Sequence, residues 1–229
     1  MKRIGLIGGM SWESTRLYYA GLNEAVRERL GGLHSADLLL HSVDFAPIAA
    51  LQSEGRWDEA GRQLASVARG LERAGAQVIG LATNTMHKVA DHIVAAISVP
   101  FVHIAAPTAA TLIADGRKRP LLLATRFTME QDFYLGRLRE AGLDPLVPTE
   151  AARAEVHRII FEELCRGVIS DRSRASYLSL IQGSAEAGAD SVILGCTEVG
   201  LLINSQNSPL PAYDTAEIHV AALVDAAFA

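Results

Sequence analysis

The chain has 229 residues, of which 26 are acidic and 21 basic, a formal net charge of −5, and 49% are hydrophobic. These proportions are those of a folded globular protein and exclude a disordered chain. The acidic excess, with no lysine or arginine run, argues against a nucleic-acid surface. No apolar run approaches the roughly 18 residues of a membrane span, and the apolar run near the start is too short for a secretion signal. We therefore expect a cytoplasmic protein with neither nucleic acid nor membrane as a partner.

Segments with strand and helix patterns alternate along both halves of the chain. Such alternation indicates βαβ units and parallel sheets, so the predicted fold class is α/β. The predicted strands are 3–7, 38–43, 78–82, 99–104, 120–124, 145–148, 191–195 and 210–213. The predicted helices are 12–30, 57–74, 86–97, 128–141, 151–165 and 172–187, with two more starting near 197 and 215.

An internal repeat relates the two halves. Residues 74–76 read Ala-Gly-Ala before the strand at 78–82, and residues 187–189 read the same before the strand at 191–195. The offset of 113 places Thr83 and Cys196 at equivalent positions, each directly after a strand. Ligands bind at the carboxyl ends of parallel strands. The repeat therefore predicts that each half presents one residue at such an end.

Cys196 is the first candidate for chemistry. It lies between a buried strand and a predicted helix start, where the helix dipole is expected to lower the pKa of a thiol. The competing interpretation is a small buried apolar side chain. Cys165 falls inside a predicted helix and is interpreted as structural. Two cysteines are too few for a disulfide framework.

Polar residues follow the equivalent strand of the first half. Thr83, Asn84 and Thr85 either cap the next helix or hold a substrate carboxylate at its start. His87 is either a surface residue of that helix or a partner of the site. The histidines show no metal-ligand spacing, so no metal site is predicted.

A glycine turn follows the first strand. Gly8-Gly9-Met10-Ser11 does not fit the dinucleotide fingerprint and has no Walker lysine, so a nucleotide site is weakly supported. A backbone N–H nest for a small carboxylate remains open.

Several motifs together resemble the aspartate/glutamate racemase family, which consists of cofactor-independent amino-acid racemases. They are GLIGGMSWEST, TNTMHKVAD, LLLATRFTMEQDFY, IIFEEL, ILGCTEVGLL and LPAYDTAEIH, in this order through nearly the whole chain. The resemblance implies two pseudo-symmetric, doubly wound α/β domains with the site between them, no cofactor and a homodimer. The expected domains are 1–105 plus 212–229, carrying Thr83, and 106–211, carrying Cys196.

The resemblance also implies a mechanism. One group removes the α-proton from one face of the substrate, and a second group returns a proton to the other face. Most of the family uses two cysteines, and here Cys196 matches the second while Thr83 stands in place of the first. A hydroxyl is far less acidic than a thiol, so we expect Thr83 to donate a proton or to relay one from a neighbour such as His87, with a slow reverse reaction. The threonine also resembles the subgroup specific for L-aspartate and L-glutamate.

The remaining site residues are carried over from the resemblance. Those expected to contact the dicarboxylate substrate are Met10, Gln52, Asn84, Thr85, Thr125, Thr128, Thr197 and Glu198. Glu198 is expected to accept the substrate ammonium group. Two alternatives stay open. One is a one-cysteine decarboxylase or isomerase of the arylmalonate decarboxylase or maleate isomerase type, and the other is a catalytically weakened amino-acid-binding protein.

Overall fold

The computed structural model describes residues 1–229. The chain divides into two compact units, one formed by residues 1–104 with 219–229 and the other by residues 105–218. The second unit extends past residue 211, where the expected domain ended. The reason is that β7 (Ala212–Asp214) pairs with β6 (Ser191–Gly195).

The first unit is built on a parallel sheet of four strands in the order β2-β1-β3-β4. The two central strands are wholly buried, as expected for a sheet covered on both faces. The strands are β1 (Ile4–Gly8), β2 (Leu38–Ser42), β3 (Val78–Leu81) and β4 (Phe101–Val102). The α-helices are α1 (Trp12–Leu30), α2 (Phe45–Ser53), α3 (Trp57–Arg73) and α4 (Ala90–Val94).

The second unit repeats this plan with a parallel sheet in the order β5-β6-β7. Leu146 adds a parallel bridge beside Leu121 of β5, at the position that β2 occupies in the first sheet. Besides β6 and β7, this unit contains β5 (Pro120–Ala124), α5 (Ala105–Ala114), α6 (Arg126–Glu130), α7 (Asp132–Glu140), α8 (Glu150–Glu162) and α9 (Asp171–Glu186). The last helix, α10 (Thr215–Phe228), begins in this unit, and its residues from His219 belong to the first unit.

The predicted α/β fold with parallel sheets is confirmed, and the structure corrects several local predictions. The segments after Thr83 and Cys196 begin as short 3-10 helices, Thr85–Val89 and Thr197–Leu201. The 145–148 segment forms only the bridge at Leu146. Two helices, α2 and α5, were not predicted because alanine and proline fill them without a polar face.

Close packing of α10 explains one glycine in the central strand β3. A Cβ on Gly80 would lie 2.7 Å from the Leu223 side chain. The backbone at the other end of the helix is also fixed, because the Lys2 N–H donates to the Ala227 carbonyl at 2.7 Å. The C-terminal helix therefore packs on the first sheet. No helix in the chain combines the length and the apolar character that crossing a membrane requires.

His219 is the buried polar residue that anchors α10 in the first unit. Its Nε2–H donates to the Val102 carbonyl at 2.8 Å, and its Nδ1 accepts from the Tyr18 hydroxyl at 2.9 Å. The side chain is fully buried, and burial lowers its pKa to about 4. The ring is therefore neutral in the folded protein at neutral pH.

This burial predicts acid sensitivity of the fold. Because the folded pKa is below the usual 6.5, the unfolded chain binds the extra proton more tightly, and stability is lost as the pH falls from 6.5 toward 4. We expect His219 to contribute a loss of about 3 kcal/mol in the free energy of unfolding by pH 4. Urea denaturation at several pH values measures it. His219→Gln should lower stability at pH 7 and flatten the pH dependence, whereas the exposed His34→Gln should change neither. An unchanged slope in His219→Gln would contradict the assignment.

Candidate active site

The predicted site residues lie mainly in loops at the carboxyl ends of strands. In the first unit, Met10 follows β1, and Thr83 with Asn84 follows β3, its neighbour in the sheet. In the second unit, Thr125 follows β5 and Cys196 follows the adjacent β6. Parallel strands align these ends, so each unit gathers its own candidate residues at one edge of its sheet.

Cys196 is hydrogen-bonded to a buried carboxylate. Its Sγ–H donates to Glu198 Oε2 at 2.8 Å, and the Thr197 hydroxyl donates to the same oxygen at 2.8 Å. Both partners are almost fully buried, Glu198 at 4% and Cys196 at 8% exposure. The tight 3-10 turn produces this contact, since the Val199 N–H reaches back to the Cys196 carbonyl at 2.9 Å.

Cys196 was expected to be a thiolate, and in this structure it is a thiol that donates to a carboxylate. Burial, and after it the charge of Glu198, raise the pKa of Cys196 well above its usual value. The predicted lowering by a helix dipole is wrong here. The helix that follows is a short 3-10 helix of five residues, and the Glu198 carboxylate lies 2.8 Å from the sulfur.

A second carboxylate, Asp214, lies at the end of β7 beside this loop. Its Oδ1 accepts the Ala216 N–H at 2.8 Å and so caps α10. Its Oδ2 packs against Gly200 of the Cys196 loop, at 2.8 Å from where a Cβ would stand. Burial, followed by the charges of Glu217 and Glu198, raises the pKa of Asp214 to about 6. Asp214 is not among the predicted site residues, although its place directly after a predicted strand is a usable signal.

The Thr83 turn is held by His87. The Nδ1 of the ring lies 2.7 Å from the Thr83 carbonyl oxygen, and its Nε2 accepts the Ile104 N–H at 3.1 Å. His87 is 2% exposed, so it is not a surface residue of the helix. The interpretation that remains from the sequence is a partner of the site. Thr83 itself is partly exposed.

The other predicted contact residues are buried polar or apolar groups. Those with less than a tenth of their surface exposed are Met10, Gln52, Asn84, Thr85, Thr125, Thr128, Thr197 and Glu198. The Gln52 amide lies 2.9 Å from the Met86 sulfur, which ties α2 to the loop after β3. In the second unit, the hydroxyls of Thr125 and Thr128 are 3.2 Å apart.

The glycine turn after β1 is tightly packed. Gly9 has a φ of +96°, and a Cβ there would collide with the Val43 backbone. Its N–H already donates to the Thr15 hydroxyl at 2.7 Å, and that hydroxyl donates to the Ser11 carbonyl at 2.8 Å. The turn therefore uses its Gly9 N–H internally, which weakens the hypothesis of a carboxylate nest there. No group of histidine, cysteine or acidic side chains is arranged to hold a metal ion.

Comparison with known proteins gives a consistent result. The family model for Asp/Glu/hydantoin racemases matches residues 7–223. A Yersinia pestis crystal structure of a candidate Asp/Glu racemase is 48% identical over the whole of both chains, with a TM-score of 0.93. An aspartate racemase homologue from Pyrococcus horikoshii is 36% identical over both whole chains, with a TM-score of 0.87.

A more distant relative is the broad specificity amino-acid racemase of Bacillus subtilis. It is 22% identical over 222 residues, which cover 93% of this chain and 92% of that protein. The family model spans nearly all of the present chain, including both candidate loops. The chain therefore belongs to the Asp/Glu/hydantoin racemase family and is an amino-acid racemase, an isomerase.

Proposed function

We propose that the protein racemises aspartate or glutamate without pyridoxal phosphate, with Cys196 as base and Thr83 acting on the opposite face of the substrate Cα. The observation that carries the proposal is the pairing of Cys196 with a buried carboxylate. The equivalent positions of Thr83 after β3 and Cys196 after β6, each a central strand paired in parallel with its neighbours, support the role of Thr83. Chiral chromatography of L-aspartate and L-glutamate incubated with the protein tests it. Formation of either D-enantiomer supports the proposal, and formation of neither contradicts it.

Cys196 and Glu198 act as a pair that shares one proton. In the resting form the proton is on sulfur, and moving it to the carboxylate gives a thiolate beside a neutral acid. This transfer leaves the net charge of the buried pair unchanged, so it avoids the cost of two adjacent anions. The thiolate then takes the α-proton and becomes a thiol again as the carbanion forms. Glu198 afterwards releases its proton to solvent, which restores the resting pair and balances the proton that solvent returns to Thr83. Transfer to Glu198 thus removes the part of the pKa increase that comes from the charge of Glu198, whereas burial of the sulfur still opposes the thiolate.

Glu198 was also expected to bind the substrate ammonium group. The two roles compete, because the carboxylate attracts the ammonium less once it carries the proton of Cys196. We propose proton acceptance as the main role, since Glu198 Oε2 lies 2.8 Å from Cys196 Sγ. Contacts of the dicarboxylate with Met10, Gln52, Asn84, Thr85, Thr125, Thr128 and Thr197 remain proposals.

Thr83 donates a proton to the carbanion and is restored from solvent. Both nitrogens of His87 face backbone groups, one the Thr83 carbonyl and the other the Ile104 N–H. We propose that the ring positions the Thr83 turn and that solvent, rather than His87, supplies the proton to the Thr83 hydroxyl. The partial exposure of Thr83 is consistent with a solvent source.

Thermodynamics determines which measured quantity can show a preference for the L-enantiomer. Two enantiomers have equal free energy in water, so kcat/KM must be the same in both directions. The expected slow reverse reaction therefore cannot appear in kcat/KM. We propose that it appears in hydrogen exchange: in D₂O the L-substrate loses its α-proton faster than it inverts, and the D-substrate does not.

Replacing Glu198 tests the shared proton directly. In Glu198→Gln the negative charge beside the sulfur is gone, so the pKa of Cys196 falls and alkylation by iodoacetamide extends to lower pH. Proton exchange at Cα should nevertheless fall by about a hundred-fold, because the amide cannot accept the proton. Glu186→Gln, an exposed change of the same kind at the last residue of α9, is the matched control. Full exchange activity in Glu198→Gln would contradict the pair.

The family assignment makes the alternatives less supported. A one-cysteine decarboxylase or isomerase would release carbon dioxide or convert a double bond, which product analysis detects. A binding protein without turnover would bind dicarboxylates and leave their α-protons in place. A homodimer in the cytoplasm also remains a proposal, and sedimentation velocity tests its mass.

A further inference from the structure

The turn that carries Thr83 departs from an α-helical hydrogen-bond pattern. In an α-helix the N–H of residue 87 would donate to the carbonyl of residue 83. Here the His87 N–H donates to the Asn84 carbonyl at 3.1 Å, the spacing of a 3-10 turn. The Thr83 carbonyl is contacted instead by the imidazole of His87, whose Nδ1 lies 2.7 Å from the carbonyl oxygen.

The backbone of Ile104 sets the direction of this contact. Its N–H donates to His87 Nε2 at 3.1 Å, so Nε2 carries no hydrogen. The neutral ring must then carry its hydrogen on Nδ1, where it points at the Thr83 carbonyl. Ile104 is fully buried and is the last residue of the first unit before the chain enters the second. The ring thus joins the Thr83 turn to a fixed point of the backbone.

The two contacts of the His87 ring, with Thr83 and with Ile104, form a clamp on the Thr83 turn. The Cys196 half has no such clamp. The repeat offset of 113 places Gly200 at the position of His87, and a glycine has no side chain to make the contact. The Cys196 carbonyl instead accepts the Val199 N–H at 2.9 Å. The clamp therefore occurs only in the half where a hydroxyl replaces the thiol.

This difference has a chemical reason. A hydroxyl is a much weaker acid than a thiol, so its proton transfer depends more on a well-aligned donor geometry. Building on the proposed racemase function, we infer that His87 is a positioning residue that orients Thr83 for proton return through the Nδ1–H bond to its carbonyl. It acts through the backbone of Thr83 and does not exchange protons with the substrate.

Three variants separate the two hydrogen bonds of the ring. His87→Asn places an amide N–H near the position of Nδ1 and keeps the donor to Thr83. His87→Gln places an oxygen near the position of Nε2, keeping the acceptor for Ile104 and losing the donor. His87→Leu removes both. Thermal unfolding first establishes that each variant is folded.

The readout is the ratio of inversion to α-proton exchange for the L-substrate in D₂O. His87→Gln and His87→Leu should lower inversion ten- to a hundred-fold and keep exchange within about two-fold, because Cys196 is untouched. His87→Asn should recover most of the inversion. Equal loss of exchange and inversion, or no advantage of His87→Asn over His87→Gln, would overturn the inference. If the wild-type protein shows neither process, the proposed function itself fails.

Discussion

Cys196→Ser is expected to abolish exchange of the substrate α-proton, lowering its rate by at least about a thousand-fold. The serine keeps the shape and a donor for Glu198 Oε2, so the buried hydrogen bond at 2.8 Å has a counterpart in the variant. What changes is acidity: an alkoxide beside a carboxylate is far less accessible than a thiolate. The rate of loss of the α-proton signal in D₂O measures the effect.

Cys165→Ser is the matched control for this substitution. Cys165 lies in the 3-10 turn Leu164–Arg166, and it is the other cysteine of the chain. The charge of Cys165 is the third cause of the raised pKa of Cys196, after burial of the sulfur and the charge of Glu198. We expect exchange within about two-fold of the wild type. Comparable losses in the two variants would contradict the assignment of Cys196 as the base.

Thr83→Val is expected to separate exchange from inversion. Valine has nearly the shape of threonine but no hydroxyl, so proton return to the second face should fall by about a hundred-fold or more. Exchange of the L-substrate should continue, because Cys196 and Glu198 lie in the other unit and are unchanged. Chiral analysis and proton NMR of the same samples measure the two processes.

Two further substitutions at Thr83 complete the test. Thr83→Ser keeps the hydroxyl and should retain inversion. Thr83→Cys supplies an acidic group on the second face and should let the D-substrate exchange its α-proton faster than it inverts, which the wild type does not do. Full inversion in Thr83→Val would show that the hydroxyl carries no proton.

The fold was predictable because its signals are local. Strands such as β3 and β6 are continuous apolar runs bounded by glycine, and the repeat of Ala-Gly-Ala before them fixed their equivalence. The same repeat placed Thr83 and Cys196 at strand ends. The helices α2 and α5 were not predicted, because they lack a polar face and their sequences therefore show no amphipathic period.

The chemistry of the candidate site was less predictable because it depends on contacts that sequence does not encode directly. A helix start suggested a thiolate at Cys196, and the tight 3-10 turn instead brings Glu198 onto the sulfur and raises its pKa. His87 had two open interpretations, and its burial excludes the surface one, while Ile104, two residues after β4, contacts the ring. Asp214 reaches the loop only through packing against Gly200.

In the proposed mechanism, Cys196 removes the substrate α-proton and Thr83 returns one to the other face. The most direct measurement is proton NMR of the L- and D-enantiomers of aspartate and glutamate in D₂O, with chiral analysis of the same samples. We expect that one L-substrate loses its α-proton faster than it inverts, that Cys196→Ser stops both processes, and that Thr83→Val stops only inversion. Retention of the α-proton in all four amino acids would contradict it.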